Sequence, residues 1–219
     1  CCGDCAEACQ TEIDSDFDFG MRKIKGAYLP YEMAFPARFV ISPQIIGTDD
    51  AQRCKDACKY DAVDLEMDVK TLNLQVGAVV WATGWQPYDA TQMDNLGFGA
   101  HSNIITNMMM ERLAAPNGPT QGKIIRPSDD KEPESIAFVQ CAGSRDENHL
   151  KYCSYICCMA SLKQATYVRE RYPEAKIYVF YIDLRTPGYR YEKFYENIKE
   201  DENIFLIKGK VAEVNEDPA

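Results

Sequence analysis

No apolar run in this chain approaches the roughly 18 residues of a helical membrane span. A membrane connection is therefore expected only through partner subunits. Positive charge is in deficit: 24 Lys and Arg against 34 Asp and Glu leave a net charge of −10. That balance argues against nucleic acid and against an anionic membrane surface as partners. Histidine is scarce. His101 and His149 are the only two, and each reads as a surface or core residue and not as a ligand. The G-x-G-x-x-G turn that seats a pyrophosphate is absent, so no tight nicotinamide site is expected between residues 135 and 185. Repeats and low-complexity tracts are absent, apart from two degenerate cysteine half-motifs.

Cysteine is what the chain has in number. Ten cysteines occur in 219 residues, below the roughly 8% of a disulfide-stapled secreted scaffold. Unpaired cysteines suit a reducing cytoplasm. The last cluster reads Cys141-x11-Cys153-x3-Cys157-Cys158. Four thiolates so gathered suit an iron–sulfur cluster, and they also suit a structural zinc ion. The adjacent pair Cys157-Cys158 is awkward for either. Neighbours on a helix point about 100° apart, so both can face one site only at a helix end or on irregular backbone.

The surrounding text reads as a strand–helix–strand unit of Rossmann type. Ser135 to Gln140 is an apolar run suited to a buried strand. Cys158, Leu162, Ala165 and Val168 recur at helical spacing, and Pro173 ends the helix. Ile177 to Ile182 is a second strand. Asp183 follows where a dinucleotide fold places its ribose acid, but without the glycine turn it reads as a strand-end or turn residue. Arg145 is placed to offset cluster charge. Arg185, Tyr189, Arg190 and Tyr191 read as a basic, aromatic, solvated loop.

The chain start carries Cys2-x2-Cys5-x3-Cys9, the tail of the ferredoxin run C-x2-C-x2-C-x3-C. A second half-motif, Cys54-x3-Cys58, has Thr48 and Ala51 at the two upstream ligand positions. In two-cluster ferredoxins the fourth cysteine of each run crosses to the other cluster. Cys2, Cys5 and Cys58 are thus the surviving ligands of one cluster, whose first cysteine would precede Cys1. Cys9 and Cys54 are left over, as buried free thiols or an adventitious disulfide. The site is expected to be incomplete here, or completed by Cys1 or an outside ligand.

A third motif is VGAVVWATGWQPYD, residues 76 to 89. Val76 to Trp81 reads as a strand, followed by Ala82-Thr83-Gly84. An A-T-G turn after an apolar strand recurs in two-dinucleotide-binding flavoproteins, where the glycine lets the backbone pass close to the flavin. Thr106 to Ala115 reads as a short helix with Met108 to Met110 as core filler. Pro116 to Pro133 reads as a loop.

These motifs together resemble the heterodisulfide reductase A-subunit family. The resemblance is carried by CGDCAEAC, MRKIKGAYLPYEMAFPARFVI, VGAVVWATGWQPYD, GPTQGKIIRPSDDKEP and FVQCAGSRDE with YCSYICCMASLKQA. The wording of the aromatic stretches is most similar to the A subunit of the quinone-interacting membrane-bound oxidoreductase complex of sulfate reducers. The resemblance implies an α/β, thioredoxin-reductase-like two-dinucleotide-binding fold with an inserted ferredoxin-like segment. Residues 1–75 would be the insert and linker, 76–133 a return to the FAD-binding domain, and 134–219 a second Rossmann-like unit carrying the cysteines. It implies FAD beside Ala82, Thr83 and Gly84, and [4Fe–4S] clusters on Cys141, Cys153, Cys157 and Cys158 and on Cys2, Cys5 and Cys58. The chain would be an electron-transfer subunit of a cytoplasmic oxidoreductase complex. In the quinone-linked branch electrons pass between the quinone pool and a sulfur-metabolism reductase; in the heterodisulfide branch they reach a disulfide-reducing partner. A glycine-rich FAD-binding unit is expected upstream of this chain. The reading outside this family is a non-redox, zinc-binding interaction module.

Overall fold

A computed structural model describes residues 2–217 and divides into two compact units, residues 1–84 and 85–219. In the first unit, helix α1 (Asp4–Ala8) is followed by β1 (Glu12–Asp14), β2 (Lys23–Lys25), β3 (Ala27–Tyr28), β4 (Val40–Ile41) and helix α2 (Asp49–Asp56). β1 and β2 pair antiparallel, with Ile13 opposite Ile24; β3 and β4 pair likewise. The unit closes around Cys5, Cys9, Ala27, Ile45, Ala51 and Cys54, all buried. Gly26 is tight there: a Cβ would meet Ile45 at 2.9 Å and the Cys9 sulfur at 3.3 Å.

The second unit holds helix α3 (Asn107–Ala114), strand β5 (Ser135–Val139), helix α4 (Cys157–Arg171), strand β6 (Lys176–Tyr181), helix α5 (Tyr189–Lys199) and strand β7 (Ile204–Lys208). The three strands form one parallel sheet in the order β5-β6-β7, with Ile136 opposite Ile177 and Ile177 opposite Ile204. α4 lies between paired strands, so the expected strand–helix–strand unit forms. The period of two sends Ile136, Phe138, Ile177, Val179, Ile204 and Leu206 to one core with Leu162, Ala165 and Val168 of α4, Ile198 of α5 and Met110 of α3. Thr106 caps α3, its hydroxyl accepting the Met109 N–H.

Two expectations are corrected. Val76 to Trp81 forms no strand; the stretch is exposed, with Val80 and Trp81 more than four-fifths open. Apolar, β-branched residues favour a strand only where a neighbouring strand takes up their N–H and C=O groups. No strand pairs with them among the described residues. Residues 189–199 form a helix where a loop is expected. Its first turn keeps Tyr189 and Tyr191 exposed and starts packing only at Phe194, which hides the helical period. The nine described cysteines are all free thiols. The fold is mixed α/β with small sheets. Cys1 lies outside the described residues.

Candidate cluster sites

The first site is built at the carboxyl ends of β5 and β6. Ligand sites of open parallel sheets lie there, because the chain leaves each strand into a loop on that edge. The chain leaves β5 through Gln140, whose N–H donates to the Phe180 carbonyl at 2.9 Å. It then turns through left-handed backbone at Cys141 (φ 58°), Gly143 (φ 75°) and Arg145 (φ 56°). Only glycine fits the middle position: a Cβ there would meet the Tyr88 ring at 2.5 Å. The loop folds back on itself, with Leu150 N–H donating to Gly143 and Arg145 N–H donating to Tyr152. Tyr88 holds its far side, sharing a hydrogen bond with His149 Nδ1. The fold-back returns the chain to Cys153, whose sulfur accepts the Tyr155 N–H at 3.4 Å.

Cys157 and Cys158 are the first two residues of α4. There the backbone N–H groups have no intrahelical partner, and the helix dipole favours a thiolate. The adjacent pair therefore stands at a helix end, the position that lets both side chains reach one site. The Cys158 thiol donates to Cys157 and draws it down to about 5 against its burial, with the Ser154 hydroxyl adding a hydrogen bond at 3.4 Å. Cys158 is pushed well above the thiol range, first by that same hydrogen bond and then by burial. The pair so arranged carries one negative charge readily. Burial raises Cys141, opposed by a hydrogen bond from the Arg145 guanidinium; the charges of Cys157 and Cys153 also act on it. The other three thiols are thus within electrostatic reach of Cys141. The loop after β6 closes the site, with the Asp183 carbonyl 4.0 Å from the Cys158 sulfur.

The second site lies in the first unit. Cys2 and Cys5 flank the start of α1, which opens on Gly3 (φ 88°). Cys58 follows the end of α2. Its sulfur accepts the Ala62 N–H at 3.3 Å. That N–H and those of Tyr60 and Val63 lower the thiol. Cys5 is raised by burial and by the charges of Cys2 and Cys58, so these three thiols share one neighbourhood. Sulfur surrounded by backbone N–H groups is an environment made for a thiolate.

The lost ligand positions have other duties. Thr48 caps α2: its hydroxyl donates to Ile45 O at 2.6 Å and accepts from Ala51 N–H at 3.4 Å. Ala51 is fully buried among Ile45, Cys9 and Cys54. Cys9 donates to Asp50 Oδ2 at 3.3 Å, and Cys54 is pushed up to about 12, first by burial and then by Cys9. Side chains fill this volume. Sequence reasoning missed Asp50, which takes the N–H groups of Gln10 and Thr11 and the Arg53 guanidinium. An acid inside a helical cysteine motif was the available signal.

Ala82, Thr83 and Gly84 are exposed and outside any strand. Gly84 has the left-handed backbone of a turn (φ 73°), but a Cβ on it would meet nothing within 4 Å. Among the described residues, no three His, Cys, Asp or Glu side chains converge on a single-ion site.

No protein-family model matches the chain. It is 40% identical over 218 residues to the second iron–sulfur A subunit of the CoB–CoM heterodisulfide reductase of Methanopyrus kandleri, covering 99% of this chain and 33% of that protein. It is 36% identical over 218 residues to the A subunit of the H(2):CoB-CoM heterodisulfide,ferredoxin reductase of Methanothermobacter marburgensis, with the same coverage. It is 38% identical over 212 residues to the A subunit of the ferredoxin/F(420)H(2)-dependent CoB-CoM heterodisulfide reductase of Methanosarcina acetivorans, covering 96% of this chain and 26% of that protein. Over nearly its whole length the chain is homologous to the A subunits of heterodisulfide reductases. It spans a third or less of the length of these curated relatives.

Proposed function

We propose that the protein is an iron–sulfur electron-transfer component of a heterodisulfide-reductase-type oxidoreductase. Cys141, Cys153, Cys157 and Cys158 hold one [4Fe–4S] cluster, and Cys2, Cys5 and Cys58 supply three ligands of a second. The observation that carries this reading is the gathering of four thiols, from one loop and the helix start that follows it, at the carboxyl edge of the parallel sheet. The relatives' printed names, which speak of an iron–sulfur subunit, support it.

A bound cluster supplies one-electron transfer. The chain's own residues give it place and charge. The left-handed turns at Cys141 and Gly143 aim one thiol inward, the start of α4 favours charge on Cys157, and Arg145 offsets negative charge. A single zinc ion needs all its sulfurs at about 2.3 Å from one point. A cubane gives each thiolate its own iron, so its sulfurs stand further apart. The relatives' printed names, which speak of an iron–sulfur subunit, favour the cluster over the zinc module.

The relatives' names support a disulfide-reducing complex with further subunits over the quinone-linked branch. The flavin part of the reading, beside Ala82, Thr83 and Gly84, rests on the resemblance alone. A cytoplasmic location belongs to the same proposal. No helix among the described residues is long and apolar enough to cross a membrane, and membrane contact would come through partner subunits. The test is anaerobic purification followed by metal and sulfide assay. A brown protein with iron and acid-labile sulfide is expected; a colourless protein with stoichiometric zinc refutes the proposal.

A further inference from the structure

An ion network joins the loop that carries the sheet-edge cysteines to the loop after β6. Arg145, in the loop after β5, pairs with Asp183, in the loop after β6. Asp183 also accepts from Arg185 at 3.2 Å. The network borders the thiols. Arg145 and Arg185 line one cleft with Cys153, the Arg145 guanidinium acts to lower the Cys141 thiol against its burial, and the Asp183 carbonyl lies 4.0 Å from the Cys158 sulfur. The network is two guanidinium groups and one carboxylate, a net of one positive charge. Other nearby charges largely cancel. An open cleft of about 500 Å³ over Cys153 is lined by Arg145, Arg185, Lys151, Asp146 and Glu147, and Lys210 pairs with Asp146 at 2.8 Å.

We infer that this network sets the reduction potential of the cluster held by Cys141, Cys153, Cys157 and Cys158, with Arg145 raising it and Asp183 lowering it. The inference rests on the proposed cluster ligation. Reduction adds one electron to an already anionic centre. A cation or N–H donor against its sulfurs stabilises the reduced state, and a carboxylate opposes it. Removing the carboxylate charge and removing the guanidinium charge therefore act in opposite directions. A network that only latched the two loops together would respond to both changes alike. The Asp183 side chain is about half exposed and that of Arg145 a quarter, so solvent screens both, and the shifts shrink as salt rises.

The experiment is redox titration of the anaerobically purified protein, followed by electron paramagnetic resonance. The relevant signal is the one that Cys153→Ala abolishes. Arg145→Gln is expected to lower the midpoint potential by about one tenfold step in the one-electron equilibrium, 59 mV. Arg145→Lys should fall by less than half of that, and Asp183→Asn should raise the potential. Iron content is measured on each variant. Equal iron with no shift, or shifts of the same sign in Arg145→Gln and Asp183→Asn, overturns the inference. Iron lost from both Arg145→Gln and Arg145→Lys overturns it too, because Arg145 is then a structural latch. If wild-type protein has no signal sensitive to Cys153→Ala, the ligation itself is wrong and the inference falls with it.

Discussion

Asp50 shows how one side chain settles the fate of a whole ligand set. Its carboxylate is 4% exposed and is held well below the usual carboxylate range. The Thr11 hydroxyl is the first cause, followed by the N–H groups of Thr11 and Gln10 and the Arg53 guanidinium, all acting against burial. A buried charge-assisted network of this kind is costly to break. Asp50→Ala is expected to destabilise the first unit by on the order of 3 kcal/mol at pH 7, measured by denaturant unfolding. The sign with pH follows from the lowered value. Stability from Asp50 is fully present above its unfolded pKa near 3.9 and is lost as pH falls towards the folded value. The gap between wild type and Asp50→Asn should therefore be constant from pH 5 to 8 and shrink below about pH 4. A gap that instead opens on acidification would show the carboxylate is not the stabilising form. At this scale the cysteine spacing was legible, because thiolate ligands must recur at fixed offsets. Asp50 was not, since its partners lie some 40 residues away in sequence.

Among the elements, α4 was the most readable. Cys158, Leu162, Ala165 and Val168 lie on one buried face, and Pro173 follows its end. Leu162 is fully buried against the sheet. Leu162→Ala should cost about 2–5 kcal/mol in the unfolding of the second unit; a cost under about 1 kcal/mol would mean that α4 does not pack as described. β5 and β6 were readable for the same reason: short apolar runs with one face on a core. Two elements were not. Residues 76–81 have strand composition, but composition cannot supply the adjacent strand that pairing needs. α5 has helix formers, but its first turn shows tyrosines to solvent, so its apolar period begins only at Phe194.

The whole molecule is marked by apolar surface left open. Parallel sheets are usually covered on both faces. Here one face packs on the helices. On the other, Tyr178 stacks on Phe205 at 5.1 Å, and Phe205 and Ile207 stay exposed. In the first unit Met67, Val69, Leu72, Leu74, Val80 and Trp81 are also open. Exposed apolar stretches of this size mark surfaces that another segment or protein covers. Such a stretch without secondary structure is also open to proteases. Brief chymotrypsin treatment of this 219-residue chain should cut first between residues 67 and 85 and leave two resistant pieces. First cuts within β5, α4 or β6 would contradict the division into units.

The central claim concerns four thiols brought to one edge of a sheet, and iron and acid-labile sulfide counting tests it most directly. Wild-type protein and Cys153→Ala are purified anaerobically side by side. The account predicts that the substitution removes about four irons and a matching amount of sulfide per chain, the content of one cubane. Unchanged iron in Cys153→Ala, with Cys141, Cys157 and Cys158 open to alkylation in the native protein, would contradict it.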